Sequence, residues 1–266
     1  MPGASRSRLD QLLVERGLAP SRAVAQAMLL AGEVELAGAP SRALKPGQLV
    51  PADAGLSVVP RPRWASRAGE KLEAALNAFT VDPTALACLD AGASSGGFTD
   101  VLLARGARVV YAVDVGRAQL VDGLRRDPRV ISMERTNLRT LDALPEPVQL
   151  ATLDLSFISL RLVLPAVRRL LAADGQVIAL VKPQFEAGRT AVPRGGVVRD
   201  PTVHREVLTR VGADARAAGF GTIGLIRSPI AGAQGNVEFL AHLTAPPGMA
   251  DEAWEQLVEA VQAASV

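Results

Sequence analysis

The sequence has 266 residues, 48 % of them apolar and 21 % charged, with 29 Lys and Arg against 27 Asp and Glu. That apolar share supplies a globular core and excludes global disorder, and no apolar run nears the roughly 18 residues of a membrane-spanning helix. The one cysteine, Cys88, excludes an intramolecular disulfide and a Cys-rich zinc module, and the start MPGASRSRLDQ lacks the apolar stretch of a secretory signal, so a cytoplasmic protein is expected.

Charge is uneven along the chain. Residues 1–70 hold nine Lys and Arg against six acids, a net of +3, whereas the remainder nets −1. A basic N-terminal piece is a modest pointer to nucleic acid. In that piece Leu9, Leu12, Leu13 and Arg16 follow helical spacing and Gly17 ends the helix. Pro20-Ser21 opens a second helix with Ala23, Ala27 and Leu30 on one face, closed by Gly32. Glu33 to Leu36 alternate as a strand, 38–47 is rich in turn residues, and Leu56–Val59 is another short strand. Two helices on a small sheet, with Arg22 and Arg42 exposed, form a module suited to a phosphate backbone. Pro60-Arg61-Pro62-Arg63 reads as a stiff linker. The expected division is a small α+β domain over 1–60, a linker over 61–67 and a larger domain over 68–266.

Beyond the linker, strands alternate with helices. Apolar strands are expected at Leu86–Asp90, Val109–Val113, Val130–Glu134, Leu150–Asp154 and Val177–Val181, and helices at Gly97–Arg105, Gln119–Arg126 and Leu160–Ala172. Such alternation implies βαβ crossovers and a mostly parallel, doubly wound sheet covered on both faces. The tail adds a helix at Thr202–Ala218, strands at Gly221–Ile226 and Val237–Thr244, and a helix from Asp251.

The motif CLDAGASSGGFTDVLLARGARVVYAVDVG, residues 88–116, places Asp90 before a glycine-rich turn and Asp114 after the next strand. Its glycines, Gly92, Gly96 and Gly97, fit neither G-x-G-x-x-G nor G-x-x-x-x-G-K-[ST]. In an open α/β sheet, ligands bind beyond the carboxyl ends of the strands, where this loop lies. An acid before the loop can pair with an ammonium and one after the second strand can accept from ribose hydroxyls. A ligand carrying ribose and ammonium without phosphate is S-adenosylmethionine, favoured over a nicotinamide cofactor as the alternative and expected at the Asp90–Thr99 loop (Asp90, Gly92, Ser94, Gly96, Gly97, Phe98, Thr99) and at Asp114.

A second constellation is dispersed. Asp154 ends the fourth strand in LDLSFISL, Lys182 ends the fifth in ALVKPQF, Glu238 opens a late strand in GNVEFL, and Lys71 lies in SRAGEKL. Only three of the 29 basic residues are lysine: Lys45, Lys71 and Lys182. Where any cation serves, this chain uses arginine, so a retained lysine is a candidate for what arginine cannot do, such as losing a proton. Lys45, in the turn-like LKPG, carries no such signal. Cys88 reads as a core residue. His204 and His242 are too few and too far apart for a metal site, and none is expected. Trp64, in the linker, is a candidate hinge marker, and Trp254 reads as packing.

With these motifs assembled, the whole chain resembles the TlyA-type (haemolysin A) ribosomal RNA 2′-O-methyltransferases. The resemblance is carried by RLDQLLVERGLAPSRAVAQAMLLAGEV, SRAGEKL, DAGASSGGFTD, VDVG, ERTN, DLSFISL, VKPQFE, GGVVRD and GNVEF. The first resembles the small RNA-binding domain named after ribosomal protein S-four; the rest resembles an FtsJ-like class I, Rossmann-like methyltransferase. The resemblance implies a Lys-Asp-Lys-Glu tetrad at Lys71, Asp154, Lys182 and Glu238, and cofactor contacts at Asp90, Gly92, Asp114 and Asn137. Ala68 departs from the SRGG common in relatives and leaves the lysine in place. The linker PRWAS and the last helix resemble members acting on both ribosomal subunits.

The implied activity is S-adenosylmethionine-dependent 2′-O-methylation of cytidine in ribosomal RNA within the subunits, without a membrane or an evident protein partner. Arg6, Arg8, Arg22, Arg42 and Arg67 are the candidate RNA contacts. The sulfonium methyl is already electrophilic, so positioning supplies much of the acceleration, while the hydroxyl is a poor nucleophile until its proton is drawn away. Lys182 is the candidate base or steering group, oriented by Asp154, with Lys71 and Glu238 fixing the hydroxyl. Two rival classes are weighed. A membrane-lytic protein lacks a spanning segment or a basic amphipathic helix, since 251–264 carries four acids and no base. A non-catalytic RNA-binding protein would not need the tetrad.

Overall fold

Apolar strands that are buried on both faces need cover on both faces, and the second half of the chain supplies it. The structure is a computed structural model that describes residues 6–30, 33–37, 44–58, 63–188, 191–246 and 248–263. The chain separates into two compact units, Met1–Pro62 and Arg63–Val266.

In the first unit, β1 (Arg6–Arg8) leads into α1 (Leu9–Glu15) and α2 (Arg22–Leu30), followed by β2 (Val34–Leu36), β3 (Leu49–Pro51) and β4 (Leu56–Val58). β1 pairs with β3 and β2 with β4, both antiparallel. The core gathers Leu9, Leu12, Leu13, Ala25, Leu29, Val34, Leu44 and Val50. α1 ends where expected, with Gly17 at φ 69°. The face expected inward on α2 is wrong. Ala25 and Leu29 are buried, whereas Ala23 and Ala27 are exposed and Leu30 is 77 % exposed. The run Ala23–Leu30 is apolar nearly all round, so spacing alone did not select a face. The expected turn residues at 38–43, with Arg42, lie outside the described residues.

The second unit contains α3 (Ala68–Ala78), β5 (Ala87–Ala91), α4 (Gly97–Ala104), β6 (Val109–Val113), α5 (Asp122–Arg125), β7 (Val130–Met133), β8 (Val148–Leu153), α6 (Leu164–Leu170), β9 (Leu171–Val181), α7 (Pro183–Glu186), α8 (Pro201–Ala217), β10 (Gly221–Arg227), β11 (Phe239–Thr244) and α9 (Asp251–Ala263). Its seven-stranded sheet has the order β10-β11-β9-β8-β5-β6-β7. The five strands from β9 to β7 run parallel, and β11 is antiparallel to both β9 and β10. α6, α8 and α9 pack on one face through Val167, Leu208, Val211, Trp254 and Val258. α3, α4 and α5 cover the other through Leu72, Leu76, Leu102 and Leu124. This is the expected α/β, doubly wound, mostly parallel architecture. The strand order reverses between β5 and β8, which opens a crevice at their carboxyl ends.

Several boundaries differ from expectation. The helix expected over Leu160–Ala172 is a single 3₁₀ turn, Leu160–Leu162, followed by α6. Ser159 accepts the Arg161 N–H to close that turn, and Pro165, unable to donate within a helix, restarts the chain at the first turn of α6. α5 is shorter than Gln119–Arg126, beginning at Asp122. The linker expected over 61–67 is also revised: Arg63–Arg67 folds with the second unit. There Trp64 is 8 % exposed among the α3 and α4 side chains, and the Ala65 N–H donates to Asp100 Oδ2 at 2.8 Å. Trp64 is therefore a packed residue. A Cβ on Gly69 would meet it at 2.5 Å, which explains a glycine in the first turn of α3.

Candidate active site

The carboxyl edge of the sheet holds two lysine–carboxylate pairs. β8 ends at Leu153 and hands the chain to Asp154; β9 ends at Val181 and hands it to Lys182. Lys182 Nζ lies 2.7 Å from Asp154 Oδ1 and 3.0 Å from Ser156 Oγ. On the neighbouring element Lys71, in the first turns of α3, reaches Glu238 Oε2 at 2.5 Å. Glu238 precedes β11 rather than opening it, and its carbonyl accepts the Ser228 N–H just past the end of β10. Its position opposite Lys182 follows from the Phe239–Val181 register. Both lysines are 8 % exposed and Glu238 is 2 % exposed. At such burial an ion pair holds only when both partners are present.

Beside the pairs lies a cavity of about 500 Å³ bounded by Gly92, Ser94, Asp114, Asn137, Asp154 and Phe157. Gly92 (φ 86°) accepts no side chain, since a Cβ would stand 2.5 Å from the Asp154 carbonyl oxygen. Asp114 accepts the Ser94 N–H through Oδ2 and the Gly116 N–H through Oδ1, at 2.8 and 2.7 Å. Each oxygen keeps a further lone pair for a hydroxyl donor. Asn137 accepts the Arg139 N–H.

Of the nine residues expected to hold a cofactor, Gly92, Ser94, Asp114 and Asn137 line this cavity, and the other five do not. Asp90 is fully buried inside β5, its Oδ2 accepting from Thr99 at 2.6 Å. Burial pushes its carboxyl up to about 7, against the Thr99 hydrogen bond and with the negative charge of Asp154 adding to the rise. Thr99 is thus Asp90's partner in the core. Gly96 (φ 97°) lets Leu120 and Leu124 close on the turn, Gly97 leaves room for Ser66 and Ala68, and Phe98 is a core side chain.

Three neighbours escaped the sequence reading. Ser156 is the second partner of Lys182. Phe157 is 90 % exposed at φ 62°, tilted against Phe185 with centroids 4.9 Å apart, so an apolar surface stands next to Lys182. Glu186 accepts from Ser159 Oγ at 2.7 Å and from the Leu160 N–H at 2.8 Å, tying α7 to the segment after β8; burial raises its pKa. The available signals were the motifs DLSFISL and VKPQFE, which contain all three.

In the first unit, the candidate RNA arginines are tethered. Buried Asp10 accepts from Arg8 Nε and Nη2, both at 3.1 Å, from Arg22 Nε at 2.9 Å and from Gln26 at 2.8 Å. Led by the Arg8 hydrogen bonds, these hold the Asp10 carboxyl well below the usual carboxylate range. Arg8 and Arg22 keep 40 % and 49 % of their side chains exposed, and Arg6 donates to the Leu49 carbonyl. Arg67, exposed, sits in the second unit at the start of α3.

Residues 64–245, which contain this sheet and all four members of its lysine–carboxylate pairs, match the FtsJ-like methyltransferase model. The chain belongs to the FtsJ-like methyltransferase family. Within it, the chain is 46 % identical to the Mycobacterium tuberculosis 16S/23S rRNA (cytidine-2′-O)-methyltransferase TlyA, over 90 % of each chain. It is 39 % identical to Hemolysin A of Brachyspira hyodysenteriae, over 88 % of this chain and 98 % of that one. A solved structure from Streptococcus thermophilus, carrying a provisional hemolysin label, is 41 % identical with a TM-score of 0.74 and covers 98 % of this chain and 97 % of its own. Among the described residues no helix of this FtsJ-like chain is long and apolar enough to cross a membrane, and no group of His, Cys, Asp and Glu is placed to hold a metal ion.

Proposed function

We propose that this protein transfers a methyl group from S-adenosylmethionine to the ribose 2′-hydroxyl of cytidine in ribosomal RNA, on the large subunit and on the small. The reading rests chiefly on the two lysine–carboxylate pairs beside a cavity at the sheet's switch point. The cavity fits the cofactor in its chemistry: Gly92 clears its floor, Asp114 presents acceptors, and the carboxylates of Asp114 and Asp154 suit a cationic ligand. When bound, S-adenosylmethionine supplies an electrophilic methyl group. Asp114 and Asn137 orient its ribose. Lys182, having passed its own proton to solvent, takes up the proton leaving the 2′-hydroxyl, while Asp154 and Ser156 aim its amine. Lys71 and Glu238 hold the acceptor oxygen in line. The first unit, with Arg6, Arg8, Arg22 and Arg42, carries the RNA in the manner of an S-four-type domain, aided by Arg67 of the second unit, in the cytoplasm where ribosomal subunits are made. The relatives support this substrate: those named for methylation of both ribosomal RNAs share 46 % of residues with this chain.

Lys182→Ala and Lys182→Arg test the reading. Each should lower transfer to ribosomal RNA by 10²-fold or more, the scale of lost general-base catalysis, while calorimetry shows cofactor affinity near wild type. Wild-type transfer should fail on DNA of the same sequence, which lacks the hydroxyl. An active Lys182→Arg enzyme would overturn the base assignment, and NADH or ATP binding in place of S-adenosylmethionine would overturn the whole reading.

A further inference from the structure

Opposite the tetrad, β11 presents its other face. Glu238 points toward Lys71, while Val237 and Phe239, on either side of it, line a concavity of about 880 Å³ together with Arg199, Arg205 and Arg227. Arg205 is paired with Glu259 at a loose 3.8 Å, both side chains more than half exposed. Arg199 and Arg227 make no ion pair or side-chain hydrogen bond among the described residues. Their backbones, in contrast, are fixed. Arg227 ends β10 opposite Phe239, and the next residue, Ser228, donates its N–H to the Glu238 carbonyl at 2.9 Å. Val198, next to Arg199, donates its N–H to the Asn236 side chain at 3.0 Å, and Asn236 also donates to the Gly196 and Ala233 carbonyls. Asn236 is 2 % exposed. The loop that delivers Glu238 to the site therefore starts from one unpaired guanidinium group, Arg227 at the end of β10, and is bound through Asn236 to the segment that carries the other, Arg199.

Guanidinium groups converging on one concavity repel one another, and an anion offsets that repulsion with directed hydrogen bonds. One carboxylate, Glu259, lines the concavity against three arginines. We propose that the Arg199–Arg205–Arg227 concavity is a phosphate site that takes the RNA backbone next to the acceptor nucleotide, anchoring the strand on one side of β11 while the hydroxyl is presented on the other. This rests on the RNA reading above and extends it to a contact outside the N-terminal unit. A fork of donors on a fixed backbone suits a phosphodiester, whereas the base beside it goes unread, so the site supplies register without sequence preference.

The test is the salt dependence of binding. A fluorescently labelled fragment of ribosomal RNA is titrated with the full-length wild type and with Arg199→Ala/Arg227→Ala between 50 and 200 mM salt. Each single-strand phosphate contact contributes about 0.7 to the slope of log affinity on log salt. Losing two should lower the slope by about 1.4, so the variant's affinity should fall about 7-fold less than wild type's across that range. In the methylation assay the KM for RNA should rise with kcat and cofactor affinity within about twofold, and Arg199→Lys/Arg227→Lys should recover part of the slope. An unchanged slope and KM would overturn the site, as would failure of the lysine pair to recover any slope. Stabilisation of the wild type by inorganic phosphate, with no change in RNA slope between proteins, would assign the concavity to a small phosphorylated ligand and overturn the RNA assignment. A wild type that binds RNA with the expected slope difference yet methylates none would instead refute the methyltransferase substrate and leave the phosphate site standing.

Discussion

Lys71 and Glu238 offer a separation of stability from catalysis. Lys71→Met removes the one cation that, among the described residues, is paired with Glu238, a carboxylate that is 2 % exposed. Leaving a buried charge without its partner costs about 3–5 kcal/mol. For a unit the size of Arg63–Val266 each kcal/mol corresponds to about 2–4 °C in melting temperature. The melting temperature should therefore fall by roughly 6–20 °C. Adding Glu238→Met should reverse the loss, since replacing both members of a buried pair with apolar groups of similar volume is commonly neutral or stabilising. Methyl transfer should be lost in both variants, by about 10²-fold or more if the acceptor oxygen shifts by about 1 Å. Differential scanning fluorimetry and a tritiated-methyl transfer assay on ribosomal RNA read the two quantities. If the single variant melts within about 2 °C of wild type, the pair behaves as a solvent-exposed one and the burial argument fails. If the double variant recovers activity together with stability, the pair is a strut and has no part in placing the hydroxyl.

Two further outcomes follow from the geometry of β5. Gly92→Ala places a methyl 2.5 Å from the Asp154 carbonyl oxygen at a backbone φ of 86°; it should cost about 2–4 kcal/mol by denaturant unfolding and weaken cofactor affinity in calorimetry, and a variant with wild-type unfolding and binding would refute the close approach. Asp90, raised to about 7 from its unfolded value of 3.8, binds a proton more tightly when folded, so its contribution to stability is present at low pH and is lost as pH rises from about 4 through 7. Asp90→Asn should remove that component, and parallel pH-dependent melting curves for wild type and variant would show that Asp90 is not held protonated.

How much of this was legible in the sequence depends on what each residue's role requires. β6 was read to the residue because Val109–Val113 is a short apolar run buried throughout, bounded by polar and turn residues. The tetrad was legible through its motifs and through the scarcity of lysine, and the structure pairs its four members as Lys71 with Glu238 and Lys182 with Asp154. Gly96 and Gly97 read as ligand contacts because a glycine-rich turn serves a ligand and a close-packed neighbour equally well. The structure adds that Leu120, Leu124 and Ser66 pack against them, which no spacing rule shows. Asp90 lies deeper than its position in the motif suggests: the strand extends one residue further, to Ala91, and draws the carboxylate into the core. Phe157 was invisible because its exposure follows from a left-handed backbone that no spacing rule anticipates in a phenylalanine.

The choice of lysine at the site can be argued from how this chain uses arginine elsewhere. Arg8 engages both oxygens of Asp10 through Nε and Nη2, and Arg129 does the same to Asp127. A planar fork of donors saturates a carboxylate in this way. Lys182 and Lys71 each touch a single carboxylate oxygen, Oδ1 of Asp154 and Oε2 of Glu238. Among the described residues no hydrogen bond engages the remaining oxygen of either. A compact ammonium thus fixes each carboxylate by one oxygen and leaves the other for a hydroxyl donor, while the ammonium's own remaining hydrogens stay available for an acceptor oxygen. Both requirements of an acceptor site, a donor and an acceptor held still at low exposure, are met by lysine, whereas arginine at either position would spend the carboxylate on itself. The lysines retained in a chain rich in arginine are then explained by the hydrogen-bond valence they leave open, as well as by their capacity to lose a proton.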